Sequence, residues 1–567
     1  MKIKDREYIK ENQAINNWEE IKTYYDNLIG RKVESFDEHK KWLKDRSELD
    51  AFVSENLAWR YIKFTCNTTD EKIKENYEYF INEIQPKIAP YEDKLNKKFI
   101  NFPKLNEFKE ASYKILIKSI KNEINLFRKE NIPLFTEISK ETNKFNTISS
   151  AMTIEHDGKE MTLQQASKFL EQTDRKLRKE IYEKIANRRA KNVEELDKIF
   201  SKLVKLRTKV AKNAGFENYR DYKFVSLNRF DYTIEDNLKF HESIREEVLP
   251  LLKIIHQKRK EKLRLDSLKP YDMGVDLYGK APLKPFEGTE ELIDNSITVF
   301  NKVGELGKYL KIMKEKSFLD LDSRKGKAPG GYNYPLSETG IPFIFMNSSG
   351  LLRDLVTMFH EGGHAVHSFL SRDLELVYFK DTPSEVAELA SMSMELITFD
   401  YWDVFFQDKD ELKRAKLTHL ADLLGVLPWV AIIDKFQHWI YTNPEHTVKE
   451  RDEKWTDIFD EFSSGIIDFS DYEEQKKKLW QKQMHLFEVP FYYIEYAISQ
   501  LGAIAIWKNF IENKEKGLTA YLNALKLGYT KSIPEIYKTA GIKFDFSKKY
   551  IGQLSDFVKN EISKFES

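Results

Sequence analysis

A single cysteine, Cys66, stands in a chain of 567 residues. That excludes an internal disulfide framework and any metal cluster built from the cysteines of one chain. It also suits a reducing compartment such as the cytoplasm. Net charge is missing as well, because 92 Lys and Arg balance 92 Asp and Glu. Without a basic excess, neither a phosphate-driven grip on nucleic acid nor a polybasic hold on a membrane is expected. No apolar run reaches the roughly 18 residues a membrane helix needs. The two longest candidates, residues 423–433 and 496–507, carry Gly425 and Pro428 in one and Ser499 and Gln500 in the other, and read as buried core helices. The first twenty residues hold no apolar block of the secretory type. The expectation is a soluble cytoplasmic protein. Its hydrophobic content of 41% is too high for a disordered chain and sufficient for large cores.

Glycine and proline are scarce, 22 and 16 residues, about half the usual share. Few breakers mean long helices. Residues 1–200 contain only six of them, whereas residues 270–350 contain sixteen, so one turn-rich stretch interrupts a helical chain. Apolar positions at Leu177, Ile181 and Ile185, then at Leu196, Ile199, Phe200, Leu203, Leu206 and Val210, step by three and four, the spacing of a helix face. Gly215 stands where a glycine would end the second of these helices. Upstream, Asp157 and Gly158 separate two short strand-like segments, a two-residue hairpin signal. Thr162 and Gln165 then form a capping box. A soft boundary falls near residue 160, dividing an N-terminal helical lobe (1–160) from the remainder (161–567).

The turn-rich stretch holds a glycine-rich loop, residues 325–332, without the Lys-Ser/Thr ending of a phosphate cradle. Residues 341–346 follow as a short strand, and Pro342 predicts that it lies at a sheet edge.

Residues 360–364 read His-Glu-Gly-Gly-His. On a helix His360 and His364 are about one turn and about 6 Å apart, so both imidazoles can meet one zinc ion. Glu361 points about 100° further round, where it reaches a water on the metal rather than the metal. Asn347, Ser348 and Ser349 are candidate caps for this helix, and Leu351, Leu352, Leu355, Val356 and Phe359 supply its apolar face. Gly362 and Gly363 each cost about 1 kcal/mol in a helix, and make room for a ligand or a second helix. A glycine-and-histidine continuation of the motif is absent, since His367 and Leu370 occupy those positions. His367 is read as packing, or as support behind a ligand, rather than as a ligand itself. The third ligand must then come from further along, and residues 381–395 offer Glu385, Glu388 and Glu395. Thr382, Pro383 and Glu385 fit a capping box, which gives Glu385 a structural task. Glu388 has no such task, and Glu395, on its face, suits the orienting of a ligand histidine. Spacing alone leaves the third ligand open.

With these blocks in view, the sequence resembles the thimet oligopeptidase and oligoendopeptidase F family of zinc metallopeptidases, on its bacterial oligoendopeptidase branch. Residues 359–367, 383–391 and 485–496 carry the likeness. The resemblance implies a mostly α, two-lobed helical shell around a deep substrate channel, with a small β-sheet beside the zinc-binding helix. It implies one Zn2+ per chain, held by His360, His364 and Glu388. It also implies substrate backbone on the strand at 341–346, and an oxyanion held by Tyr496 with His485 and Tyr493 assisting. Residue chemistry agrees: zinc would bring a water pKa toward about 7, and Glu361 would take its proton and pass it to the leaving amine. The expected function is zinc-dependent oligoendopeptidase, hydrolysing internal bonds of short peptides in the cytoplasm. The alternatives are an exo-acting dipeptidyl peptidase of the same mechanism, or a non-catalytic helical peptide-binding protein with a structural metal. No nucleic-acid or membrane partner is expected. His39, His156, His241, His256, His419, His438 and His446 are assigned no role.

Overall fold

The computed structural model describes residues 5–566. It is mostly helical with two small sheets, in line with the sequence reading. Helices Trp18–Gly30, Phe36–Cys66, Gln85–Ile100 and Ala111–Leu126 make the first apolar core, around Tyr25, Trp42, Leu49, Phe99 and Ile120. Ser35 opens the 31-residue helix Phe36–Cys66 in a reciprocal cap with Glu38. Helix Ile132–Ser150 leaves this core. Its Phe145 stacks on Phe487 at 4.1 Å and belongs to the larger core that occupies the rest of the chain.

The local signals around residue 160 translate directly. Strands β1 (Thr153–His156) and β2 (Lys159–Thr162) pair antiparallel through Asp157 and Gly158, both at positive φ (51° and 70°), as a tight primed turn requires. Thr162 and Gln165 make the capping box. Helices Arg175–Ala190 and Val193–Asn213 follow. The second ends at Gly215 (φ 89°), with Gly215 N–H bonding Lys212 O and Phe216 N–H bonding Ala211 O.

The second sheet corrects the sequence reading. Strands β3 (Leu319–Asp322), β4 (Tyr332–Tyr334) and β5 (Phe343–Ser348) lie in the order β3-β5-β4. The strand expected at 341–346 is therefore central, not an edge: β5 runs parallel to β3 and antiparallel to β4. Ile341 and Pro342 precede it, so the proline removes no ladder bond. The edges are β3 and β4, and β4 stands at the end of the glycine-rich loop. Two buried side chains fix that loop. Lys327 Nζ donates to the carbonyls of Asp320 (3.0 Å), Asp322 (2.8 Å) and Met346, and Asn347 Nδ2 to those of Ala328 (2.8 Å) and Gly330 (2.9 Å).

Asn347, a candidate cap, is thus spent on the loop. The motif helix, Leu352–Ser371, is capped from inside by Asp354, whose Oδ2 accepts from Ser349 N–H (2.5 Å) and Leu351 N–H (3.0 Å). The acid helix, Ser384–Ile397, crosses it. Helix Lys409–Thr442 runs unbroken through Gly425 and Pro428. It is long and apolar enough to cross a membrane by composition, and its Leu420, Leu423, Leu424, Leu427, Val430 and Ile433 are buried in the core. The other apolar run lies in the buried helix Ile494–Glu512.

Candidate active site

His360 and His364 sit four apart on the motif helix with ring centroids 4.9 Å apart. Glu388 on the acid helix reaches between them. Its Oε2 lies 3.2 Å from His360 Nε2 and 3.5 Å from His364 Nε2. Among the described residues this is the group of His, Cys, Asp and Glu whose ligand atoms all fall within 4.8 Å of one another. Four ligands placed tetrahedrally about 2.05 Å from zinc would stand about 3.3 Å apart, so the observed spacing fits that ion. The nitrogen-and-carboxylate donor set fits it too. Both rings remain partly open to solvent, at 18% and 17%, while Glu388 is buried. Burial alone would lower His360, but hydrogen bonds with Glu388 and Glu395 outweigh it and hold the ring well above its ordinary pKa. Burial alone would raise Glu388, and the two histidines hold it well below.

The two glycines of the motif let this cluster form. A Cβ on Gly363 would lie 2.7 Å from Ser391 Cα and 2.8 Å from Ala390 O, on the backbone of the acid helix. A Cβ on Gly362 would meet the Phe300 ring at 2.6 Å. The glycines therefore admit a helix and an aromatic ring, the second-helix role rather than the ligand role.

Glu361 is outside the three-residue cluster and buried, which raises its pKa against the pull of His360 and His364. Its neighbours are the sheet edge: Asn333 Nδ2 donates to its carbonyl at 3.2 Å, and a Cβ on Gly331 would lie 3.6 Å from its Oε1. Glu395 accepts from His360 Nδ1 at 2.7 Å, which turns Nε2 toward Glu388. Behind it, buried His419 Nε2 stands 3.7 Å from Glu395 Oε2, a placement that no local pattern announces. His367 is buried away from the cluster with Nε2 unpartnered.

Glu385 does not cap its helix. Helix Ser384–Ile397 has no side-chain cap, and the Glu385 carboxylate turns inward to accept from Tyr232 at 2.5 Å. Arg229, which pairs with Glu495 at 2.8 Å, is close enough to feel the Glu385 charge.

The C-terminal block gathers on the open side. Gln483 Nε2 donates to His485 Nδ1 at 2.7 Å, so the other ring nitrogen carries the hydrogen and faces Tyr496 Oη at 3.2 Å. Burial pushes His485 down to about 4, so it is neutral at pH 7. A neutral ring donating to Tyr496 leaves the phenol's own proton free for another acceptor. Burial and the Glu388 charge keep that phenol protonated. Tyr493, 5.2 Å from Tyr496 between ring centroids, bonds instead with Trp429 and Gln483.

Tyr492 is the residue sequence reasoning missed. Its hydroxyl donates to Glu388 Oε1 at 2.5 Å, holding the carboxylate so that Oε2 meets the histidines. The reach depends on Phe491, a bulky residue at φ 66°. Gln437 Oε1 accepts its N–H at 2.6 Å, and Arg229 donates to its carbonyl. A pair of adjacent tyrosines was the signal, and nothing local said which one turns back. Tyr492→Phe should weaken zinc binding by about tenfold or more, measured by competition with a chromogenic chelator, because a buried carboxylate oxygen loses its donor.

Residues 168–555 match peptidase family M3, and residues 10–127 match the peptidase M3 N-terminal domain. The chain belongs to peptidase family M3. Family M3 peptidases are metallopeptidases, which agrees with the cluster just described. An oligoendopeptidase F homolog of Borreliella burgdorferi is 26% identical across 96% of this chain and 93% of its own length. Oligopeptidase PepF of Bacillus subtilis is 25% identical across 82% of this chain and 69% of its own. The solved structure of PZ peptidase A with inhibitor 2 superposes with a TM-score of 0.93 at 25% identity, covering 98% of both chains.

Proposed function

We propose that this chain is a zinc-dependent oligoendopeptidase that hydrolyses internal bonds of short peptides in the cytoplasm. The observation that carries this reading is one carboxylate oxygen between two imidazole nitrogens, with a neighbouring carboxylate left outside the group. A structural metal site has no use for that free acid. His360, His364 and Glu388 would hold one Zn2+, which would supply acidity to a water and polarise the scissile carbonyl. Glu361 takes a proton from the attacking water and returns it to the leaving amine. Tyr496, aligned by neutral His485, donates to the oxyanion as it forms, and Tyr493 braces the pair through Gln483 and Trp429. The outer edge of β4 beside Glu361 offers main-chain groups to an extended peptide, a better candidate than central β5. The two family matches, and a first core whose buried residues beyond 160 are only Leu376 and Phe379, support a helical lobe (1–160) and a catalytic part (161–567), with helix Ile132–Ser150 at the junction.

Chelated and zinc-restored protein, incubated with a ten-residue peptide and read by product mass, tests this. Internal cuts should appear only with zinc. Dipeptides released solely from one end would replace the reading with the exo-acting one. Binding without turnover would leave a peptide-binding scaffold.

A further inference from the structure

Arg207 stands on the apolar face of helix Val193–Asn213, four residues after Leu203 and seven after Phe200, and is 1% exposed. Arg178, Arg229 and Arg451, whose side chains are also enclosed, each meet a carboxylate at 2.8–2.9 Å. Arg207 meets main-chain carbonyls instead. Its Nη1 donates to Leu486 O at 3.0 Å and to Tyr441 Oη at 2.8 Å, and its Nη2 donates to Phe487 O. Its charge also reaches Glu488, which burial pushes up to about 6 against a bond with Asn146 and the pull of that charge.

Leu486 and Phe487 belong to helix Met484–Glu488, the five-residue piece that carries His485. A single turn does not hold itself together in water, because its end carbonyls find no partner within it. Here Val489 N–H meets the carbonyl of His485 at 3.0 Å, and one guanidinium meets those of Leu486 and Phe487. Thr142 Oγ1 adds a longer bond to Phe487 O at 3.3 Å. A cation suits this end of a helix, where the carbonyl dipoles point their negative ends outward. Gln483, 2.7 Å from Nδ1, sets the rotation of the His485 ring, and Arg207 sets the main chain beneath it. His485 Nε2 stands 3.2 Å from Tyr496 Oη. A retreat of about 0.4 Å would end that bond.

We infer that Arg207 is a positioning residue for peptide hydrolysis: it fixes the main chain under His485, and through that ring the hydroxyl of Tyr496 that meets the oxyanion. Its bonds go to neither Tyr496 nor the metal group. The bond to Tyr441 leads elsewhere, to a ring 5.6 Å from that of Phe491, and supplies the control.

The inference rests on the peptidase reading, and the experiment separates the two. Arg207→Lys keeps the charge but replaces the two-pronged fork by a point donor. In zinc-loaded protein kcat should fall about tenfold or more, while KM and zinc affinity stay within about twofold of the parent. Tyr441→Phe, which leaves both carbonyl bonds in place, should keep all three near the parent. On a His485→Gln background Arg207→Lys should add no further loss, because the ring it positions is gone. An arginine that only stabilised the fold would lower turnover by the same factor on both backgrounds. Arg207→Gln, which reaches one carbonyl without a charge, should repeat the pattern if the lysine variant does not fold. An unchanged kcat, an equal loss on the His485→Gln background, or a loss that lies in zinc affinity overturns the assignment. If the parent cleaves no peptide, the peptidase reading fails by itself. NMR of histidine-labelled protein then decides the positioning, with the His485 signal identified by its disappearance in His485→Gln. That signal should move in Arg207→Lys and stay in Tyr441→Phe, and an unmoved signal in Arg207→Lys overturns the assignment.

Discussion

Glu361→Gln should leave zinc bound and reduce peptide turnover by about a thousandfold or more, within the range expected for losing a positioned general base that serves two proton transfers. The amide keeps the size and shape of the side chain, so the buried pocket beside β4 has no reason to collapse. It cannot accept a proton. No neighbour can replace it: Glu388 lies between the two histidines, and Glu395 is bonded to His360 Nδ1. Zinc content of the variant, read by mass spectrometry of the native protein, should match the parent at one per chain. Turnover within a few-fold of the parent would remove Glu361 from the mechanism, and zinc loss would move it among the ligands.

Gly363→Ala is the second large effect, and it is steric. The added methyl has no free volume, because Ser391 Cα, Ala390 O and Met394 Cβ would stand at 2.7, 2.8 and 2.9 Å. Carbon atoms prefer about 3.5–4.0 Å. Two of the three obstacles are backbone, so the helices must separate, and forced overpacking of this kind costs about 1–3 kcal/mol. Ser391 is three residues beyond Glu388, so the separation carries the carboxylate off the histidines. Zinc affinity should fall by at least tenfold beyond the loss in stability, seen by comparing metal titration with thermal melting of metal-free protein. Gly362→Ala should do less, since the obstacle there is a Phe300 ring that can turn. A Gly363→Ala protein that binds zinc as tightly as the parent would show that the helix contact does not set the site.

Legibility in the sequence followed the range of the interaction. The hairpin at Asp157 and Gly158, the glycine stop at 215 and the pairing of His360 with His364 are each set within a few residues, and each was readable. Glu388 lies 24 residues past His364, and only the resemblance singled it out among three glutamates. Where a pattern had two physical outlets, tertiary packing chose. Glu385 had capping spacing yet turned inward to Tyr232, and Asn347 had cap chemistry yet holds the glycine loop. Pro342 suggests an edge but lies just outside the central strand Phe343–Ser348. Nothing local told Tyr492 from its neighbour Tyr493, and His419 gave no advance sign, because each meets its carboxylate from a segment distant in sequence.

The bend at Phe491 makes the metal's surroundings answerable to remote residues. A left-handed turn at a large side chain does not persist by preference, and here Gln437 and Arg229, on other parts of the chain, pin it. Damage at either anchor would let the bend relax and swing Tyr492 off target while the fold stays whole. A silent but well-formed enzyme can therefore originate far from its chemistry.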